Sequence, residues 1–174
     1  TPYCIAYPAA AEGQVVFADK QVHAGNGTFA SGVSTMYGYS ADGMGVQTHH
    51  LTGVLKIGVT GSAKLVLAQI SNANRKPIAG AFDFDFEKGE ATATAASKEV
   101  INYSFGEGIQ LSSEPTYIHA VVPAGEYGEL YVTLYDAEGG VMYAAIKTDE
   151  TKPLVAGKVR EFSTNINYVA TTSV

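Results

Sequence analysis

The 174-residue sequence contains no tryptophan, one cysteine, and no apolar run near the roughly 20 residues of a membrane-spanning helix. A single cysteine excludes an intrachain disulfide and a metal site built from several thiolates. The sequence has 11 Lys and Arg residues against 17 Asp and Glu residues, and the basic residues are not clustered. Because contacts to nucleic-acid phosphates need clustered basic side chains, we expect no nucleic-acid partner.

The single cysteine, Cys4, lies in the run YCIAY (residues 3–7). A cysteine there can hold a lipid, act as a nucleophile or pack as a small hydrophobic residue. The neighbouring apolar residues favour the third role, so we predict that Cys4 is buried in a strand. The sequence begins with Thr1 and shows no signal sequence, so we expect that an upstream segment was removed by processing or by the choice of expressed residues.

Alternation of apolar and polar residues is the main pattern that the sequence contains. In FDFDF (82–86), the phenylalanines share one side of the chain and Asp83 and Asp85 share the other. VLKIGVT (54–60) alternates in the same way, and KLVLAQI (64–70) predicts Leu65 and Leu67 on one inward face. A period of two residues is typical of a half-buried β-strand. Segments of this kind, separated by turn residues, predict strands at 14–18, 35–39, 54–60, 64–70, 82–86, 92–95, 100–105, 116–122, 129–135, 141–147 and 158–168.

Short strands at a spacing of about ten residues are typical of an all-β sandwich or barrel. With 46% hydrophobic residues, a chain of this length can form a core without disulfides or metal. We therefore expect little or no helix. We also expect a single domain over residues 1–174, of which about the first 45 residues are irregular.

Segments 129–135 and 141–147 predict a β-hairpin, and the length of its loop decides which side chains share a face. An odd loop of three or five residues places one set on the core side: Leu130, Val132, Leu134, Met142, Ala144 and Ile146. The opposite face then contains Tyr131, Tyr135 and Tyr143, whereas a two- or four-residue loop would turn Tyr143 toward the core. Outward tyrosines either lie across the sheet or form a contact surface, so these three are the candidate binding residues.

Known motifs of catalysis and cofactor binding are absent, including GxxxxGK[ST], HExxH, GxSxG and GxGxxG before a helix. The adjacent residues His49 and His50 would point to opposite faces of a strand. His23 and His119 have no partner at a spacing suited to metal ligation. We therefore expect no metal site, no cofactor and no enzymatic activity.

The acidic side chains of Asp83, Asp85 and Glu87 share one side of the FDFDF segment. A calcium site is one interpretation, since calcium binds six to eight oxygens. Calcium loops normally curve around the ion, and this run is straight. A solvated acidic face, with a lysine from a neighbouring strand as a partner, is the interpretation that we favour.

From residue 36 onward, the order of strands and turns is similar to that of a known family. The matching features are His50-Leu51 before an amphipathic strand, PIAGAF (77–82) after a turn, VVP (121–123) at a strand end, DAEG (136–139) in a hairpin and AGK (156–158) before the last strand. In these features the chain resembles the fimbrillin-type proteins of Bacteroidetes, which are surface lipoproteins and pilus subunits built from transthyretin-like β-sandwich modules. The resemblance covers about residues 36–168.

This resemblance implies an antiparallel β-sandwich of transthyretin-like or Greek-key type. It also implies a non-catalytic adhesin or fimbrial subunit, extracellular at the bacterial outer-membrane surface, with membrane contact only through a lipid anchor outside this chain. In pilus members, proteolysis at a basic residue removes an N-terminal segment, and a strand of another subunit fills the groove. In this sequence the first arginine is Arg75, and the basic residue close to the N-terminus is Lys20.

The partners that the resemblance implies are other fimbrial subunits or ligands on host and bacterial surfaces. The alternative function is a module that binds glycans or other ligands on the Tyr-rich sheet face. The absence of tryptophan counts against a glycan platform, although tyrosine rings can serve the same purpose.

Overall fold

The computed structural model describes residues 1–148, 153–162 and 164–171, and the regular structure in these ranges consists of β-strands alone. The all-β fold class is therefore confirmed. No helix in these ranges is long and apolar enough to cross a membrane. The strands are β1 (Tyr3–Tyr7), β2 (Gln14–Phe17), β3 (Lys20–Val22), β4 (Met36–Ser40), β5 (Gln47–His50), β6 (Thr52–Thr60), β7 (Lys64–Asn72), β8 (Ala79–Asp85), β9 (Glu90–Lys98), β10 (Val100–Gln110), β11 (Thr116–Pro123), β12 (Gly128–Asp136), β13 (Val141–Thr148), β14 (Val159–Glu161) and β15 (Ile166–Asn167).

Two sheets enclose the main core. One has the strand order β13-β12-β7-β10-β3, and the other has the order β11-β6-β14, with β15 also paired to β6. Alternate residues of the central strands point between the sheets, so Leu55, Ile57 and Ile70 are almost completely buried. Each such side chain stabilises the fold by roughly 1.5–3 kcal/mol relative to an exposed position. The predicted inward face of β6 is confirmed.

The prediction for β7 is wrong at Leu67, which does not share the inward face of Leu65. The pairing of β7 with β12 shifts between Tyr135 and Asp136, which lie opposite Leu67 and Leu65. This bulge places an extra residue between the two leucines and reverses the alternation. Leu67 is half-buried on the outer face, and the inward positions continue at Ala68.

Two three-stranded sheets, β1-β4-β5 and β2-β8-β9, contact each other through aromatic rings. The rings of Tyr37 and Phe84 meet edge to face with 4.8 Å between their centroids. Phe82 and Phe84 are buried while Asp83 and Asp85 are exposed, which confirms the predicted division of this strand. The edge-to-face contact between Tyr37 and Phe84 is favourable because the edge of one ring is positive and the face of the other is negative.

Residues 1–45 contain the short strands β1 to β4, and β2 and β4 overlap the strands predicted at 14–18 and 35–39. These strands of three to five residues are held by pairing with other strands. Cys4 does lie in β1, but the prediction that it is buried is wrong. It is exposed because β1 is the edge strand of its sheet.

The outer edge of β11 is covered by side chains. Along its inner edge, β11 pairs with β6 over its whole length. Three N–H groups on the other side donate to side-chain oxygens: Tyr117 to Asn26 (3.0 Å), His119 to Tyr103 (3.4 Å) and Val121 to Gln21 (2.9 Å). The segment that begins with β3, together with Tyr103 of β10, therefore closes an edge that would otherwise offer free hydrogen-bonding groups.

The C-terminal segment borders the other side of β6 through two short parallel ladders. β14 pairs with Val54, Leu55 and Lys56, and β15 pairs with Val59 and Thr60. The single strand predicted over 158–168 is thus two separate strands. The interruption lies opposite Gly58, where the side chain of Asn165 occupies the space that a Cβ atom would fill.

Candidate functional site

The hairpin formed by β12 and β13 has the predicted parity. Tyr135 lies opposite Val141, so the connection is residues 136–140, an odd number. The carboxylate of Asp136 fixes this turn, because its Oδ1 accepts hydrogen bonds from the N–H groups of Glu138 (2.9 Å) and Gly140 (2.7 Å). The three candidate tyrosines consequently lie on the face away from the core.

The structure brings Tyr131, Tyr135 and Tyr143 together on this face, which we call the Tyr face. Tyr143 lies opposite Thr133 and is therefore the diagonal neighbour of both other tyrosines, at a Cα distance of roughly 7–8 Å. The side chain of Tyr143 is 71% exposed and that of Tyr131 is 43% exposed. Their rings are available for contact with a ligand.

Tyr135 differs from the other two tyrosines because it is half-buried and hydrogen-bonded. Its hydroxyl donates to Gln69 Oε1 (3.0 Å), and Gln69 Nε2 donates to Asn102 Oδ1 (2.8 Å). This chain of hydrogen bonds crosses three strands and holds the ring against the sheet. The ring of Tyr135 is therefore held in place at the border of the Tyr face.

A cluster of the half-buried His23 with the buried Tyr103 and His119 escapes sequence analysis. The Tyr103 hydroxyl is 3.0 Å from His23 Nδ1 and accepts the N–H of His119. Burial lowers the pKa of His119, and the charge of Lys56 lowers it further. Burial, followed by the charge of His119, lowers the pKa of His23. The cluster is therefore uncharged, and it supports β11. The sequence does not predict this cluster because its three residues are far apart in the chain.

The other two histidines, His49 and His50, are exposed in β5. The His49 ring packs near the ring of Tyr37, with 5.4 Å between centroids. Within the described ranges, the His, Cys, Asp and Glu side chains form no group of three or more that could hold a metal ion.

The acidic residues of β8 face solvent, as predicted. Asp83 accepts a hydrogen bond from Gln14 Nε2 (3.1 Å) on the adjacent strand β2, so its partner there is an amide and not a lysine. Asp85 Oδ1 accepts the N–H of Lys88 (2.9 Å) within the following turn. These contacts anchor the turn and the edge of the sheet.

A cleft opens at the side of the main sandwich, between β13 and the C-terminal segment, and we call it the lateral cleft. Its volume is about 350 Å³, at the lower end of the usual range for small-molecule sites. Hydrophobic and charged side chains line it together. The lining residues are Ile57, 145–147, 160–162 and 164–166.

Backbone groups of β13 form one wall of this cleft. The carbonyl of Val141 accepts a hydrogen bond from the N–H of Thr171 (2.8 Å). The backbone polar groups of Val141 therefore point away from β12. Because backbone direction alternates along a strand, Tyr143, Ala145 and Lys147 point the same way. Within the described ranges, no backbone hydrogen bond from outside the hairpin reaches these three residues. As far as the described residues go, their N–H and C=O groups form an open edge.

Comparisons with known proteins give a structural likeness and no match in sequence. No family model matches the chain, and no curated protein matches it. Among solved structures, the chain is similar to a Bacteroides uniformis protein provisionally assigned to cell adhesion. The two are 15% identical in sequence with a TM-score of 0.48, and the match covers 93% of this chain and 67% of that one.

Proposed function

We propose that this chain is a non-catalytic adhesin or fimbrial subunit at the bacterial outer-membrane surface, and that it assembles by addition of a β-strand from another molecule. Other subunits or surface ligands are its partners, and a lipid outside this chain provides any membrane anchor. The observation that supports this proposal is the open outer edge of β13.

An open strand edge can pair with an extended segment of another chain through backbone hydrogen bonds. Folded proteins normally cover such edges, and this chain covers the edge of β11 with side chains. Its described residues leave β13 open from Tyr143 to Lys147, and Thr171 pairs with the first residue of the same edge. The geometry there is suitable for an added strand.

Growth beyond a pair also requires a second surface on each molecule, and the N-terminal strands can provide one. Strands β1 and β2 precede the exposed Lys20, and β2 covers Phe82 and Phe84 through Val15 and Phe17. Cleavage at Lys20 and loss of these strands would uncover aromatic residues that another molecule can bury.

Light scattering before and after limited tryptic cleavage at Lys20 tests the proposal. We expect a ladder of multimers after cleavage. Ala145→Pro should prevent the ladder because it removes an outward N–H group, whereas Ala145→Ser, the matched control, keeps that group. A cleaved chain that remains monomeric, or that simply unfolds, would contradict assembly by strand addition.

Binding of a glycan on the Tyr face is a second candidate function. It is favoured by the exposed rings of Tyr131 and Tyr143 beside polar groups of the same face. A glycan screen with Tyr143→Ala and Tyr131→Ala tests it, with Tyr3→Ala as the control because Tyr3 is 55% exposed on a different sheet. Loss of binding in all three variants alike, or no binding by the unmodified chain, would contradict it.

A further inference from the structure

Arg160 places a cation on the inward side of an edge strand. In the pairing of β14 with β6, Arg160 lies beside Leu55, whose side chain is fully buried. Its neighbours Val159 and Glu161 are exposed, as expected from alternation. The Nε atom of Arg160 is buried, and no hydrogen-bond partner reaches it within the described part of the chain. A buried donor without a partner is costly, so the site is suited to an acceptor from outside.

Among the described residues, the charges around Arg160 leave the lateral cleft positive in a chain whose net charge is −6. Lys147 lines the cleft from β13, on the opposite wall from Arg160. The carboxylate of Glu161 also lines the cleft, but Lys56 lies 3.4 Å from it and offsets its charge. Two cationic residues, Arg160 and Lys147, thus line the cleft, and no ion pair among the described residues involves either of them.

We propose that the strand added to β13 presents a carboxylate side chain to Arg160 in the lateral cleft. This inference rests on the proposed function, and it specifies the chemistry of the partner: an extended segment with one Asp or Glu among apolar residues on its inward face. A guanidinium matches a carboxylate with two parallel hydrogen bonds, which makes this pair strong and directional.

A peptide strand fits this position because the same residues form the open edge and the wall of the cleft. Ala145 and Lys147 provide outward backbone groups, and residues 145–147 also line the cleft together with Ile57. Alternate side chains of a paired strand would enter the cleft at intervals of about 6.6 Å. Apolar side chains would contact Ile57 and Ile146, and the carboxylate would lie between them at Arg160.

The same cation excludes other partners. A strand with only apolar inward side chains would bury Arg160 without compensation, and a strand with an inward lysine would place two like charges together. The site thus selects among the many segments that can pair with an exposed edge.

Fluorescence anisotropy with labelled peptides tests this inference on the complete chain. The probe is the capped peptide Thr-Val-Thr-Asp-Thr-Val-Thr, and its analogues replace Asp with Asn or Lys. We expect the Asp peptide to bind at least about tenfold more tightly than the Asn peptide, because a buried charge pair is involved. Arg160→Gln should abolish this preference, and Arg160→Glu should reverse it in favour of the Lys peptide. Arg75→Gln is the control, since Arg75 is exposed and paired with Glu99.

The outcomes separate this inference from the function on which it rests. Equal binding of all three peptides, with loss of binding in Ala145→Pro, would retain strand addition and overturn the role of Arg160. Absence of binding by every peptide would overturn both. Binding of sodium glucuronate at Arg160 without binding of the Asp peptide would overturn the inference in favour of a sugar acid. Thermal unfolding of the Arg160 variants verifies that they are folded.

Discussion

The side-chain amide of Gln21 pairs with both backbone polar groups of Val121, 100 residues further along the chain. Gln21 Nε2 donates to the carbonyl of Val121 (2.7 Å), and the N–H of Val121 donates to Gln21 Oε1 (2.9 Å). Both residues are only 3% exposed. One side chain thus reproduces the two hydrogen bonds that a neighbouring strand would make at this position.

Replacement of Gln21 should therefore destabilise the fold much more than the loss of an exposed amide. In Gln21→Ala, the N–H and C=O of Val121 lose their partners in a buried position, and we expect a cost of about 2–4 kcal/mol. Urea unfolding measures this difference. Gln47→Ala is the matched control, because Gln47 is exposed in β5 and its loss should change stability by less than about 0.5 kcal/mol. Equal effects of the two substitutions would contradict the importance of this pairing.

The buried side chain of His119 should make the protein less stable in mild acid. Burial, and then Lys56, keep the pKa of His119 below its ordinary value of 6.5 in the folded state. In the unfolded state the ordinary value returns, so between these two pKa values the unfolded chain binds a proton that the folded chain does not. The stability contributed by neutral His119 is present above about pH 6.5 and is lost as the pH falls toward the folded pKa.

Unfolding free energies measured in urea between about pH 7 and pH 5 test this dependence. His119→Gln should flatten the decline, whereas His49→Gln, at an exposed position, should not. Besides burial, Lys56 lowers the pKa of His119, and the backbone of Tyr117 and the carboxylate of Glu161 raise it. An NMR titration that gives His119 a pKa above 6.5 would show that the sign is wrong.

Gly53 should be needed for the contact between β6 and the C-terminal segment. A Cβ atom on this residue would lie 2.8 Å from the carbonyl oxygen of Val155 and 3.4 Å from that of Lys158. Because these are backbone atoms, Gly53→Ala should push the segment away from β6 at a cost of about 1–3 kcal/mol. Gly45→Ala is the control, since its Cβ would meet no atom within 4 Å.

Hydrogen exchange measures the effect of Gly53→Ala directly. The N–H of Val54 donates to the carbonyl of Lys158 (2.9 Å), and the N–H of Gly157 donates to that of Thr52 (2.9 Å). Both amides should exchange faster in Gly53→Ala and remain unchanged in Gly45→Ala. Unchanged protection of both amides would mean that the segment tolerates the added methyl group.

The hydroxyl of Tyr168 should stabilise the turn of the β12–β13 hairpin. It donates to Asp136 Oδ2 (2.9 Å), and burial together with this carboxylate raises the pKa of Tyr168 to about 12. Tyr168→Phe should cost about 1–2 kcal/mol in urea unfolding, because a hydrogen bond to a charged group is lost. It should also remove the tyrosine that ionises at about pH 12 from a spectrophotometric titration. The exposed Tyr3→Phe should do neither.

Patterns local to one segment predicted local structure well. The faces of FDFDF and of the hairpin follow from a period of two residues and from the parity of one loop. The error at Leu67 has a different origin, because the bulge in β7 depends on how two other strands pair with it. Cys4 was misplaced because a single strand does not indicate whether it lies at the edge of a sheet.

The candidate site was predictable only in part, for the same reason. The Tyr face lies on one hairpin, so its residues could be named from the sequence. The lateral cleft combines Lys147 with Arg160 from the C-terminal segment, and the cluster of His23, Tyr103 and His119 combines three distant segments. Neither arrangement has a sequence spacing that distinguishes it from chance.

The unequal treatment of the edges of β11 and β13 has a consequence for symmetry. Two copies that meet through the same open edge of β13 would be related by a two-fold axis. Each copy would then provide hydrogen-bond partners for the outward backbone groups of the other. Such a contact closes on itself, so it produces a dimer of fixed size and no fibre. A fibre requires the β13 edge of one copy to meet a different surface of the next. Because side chains seal β11, that surface must lie elsewhere on the molecule.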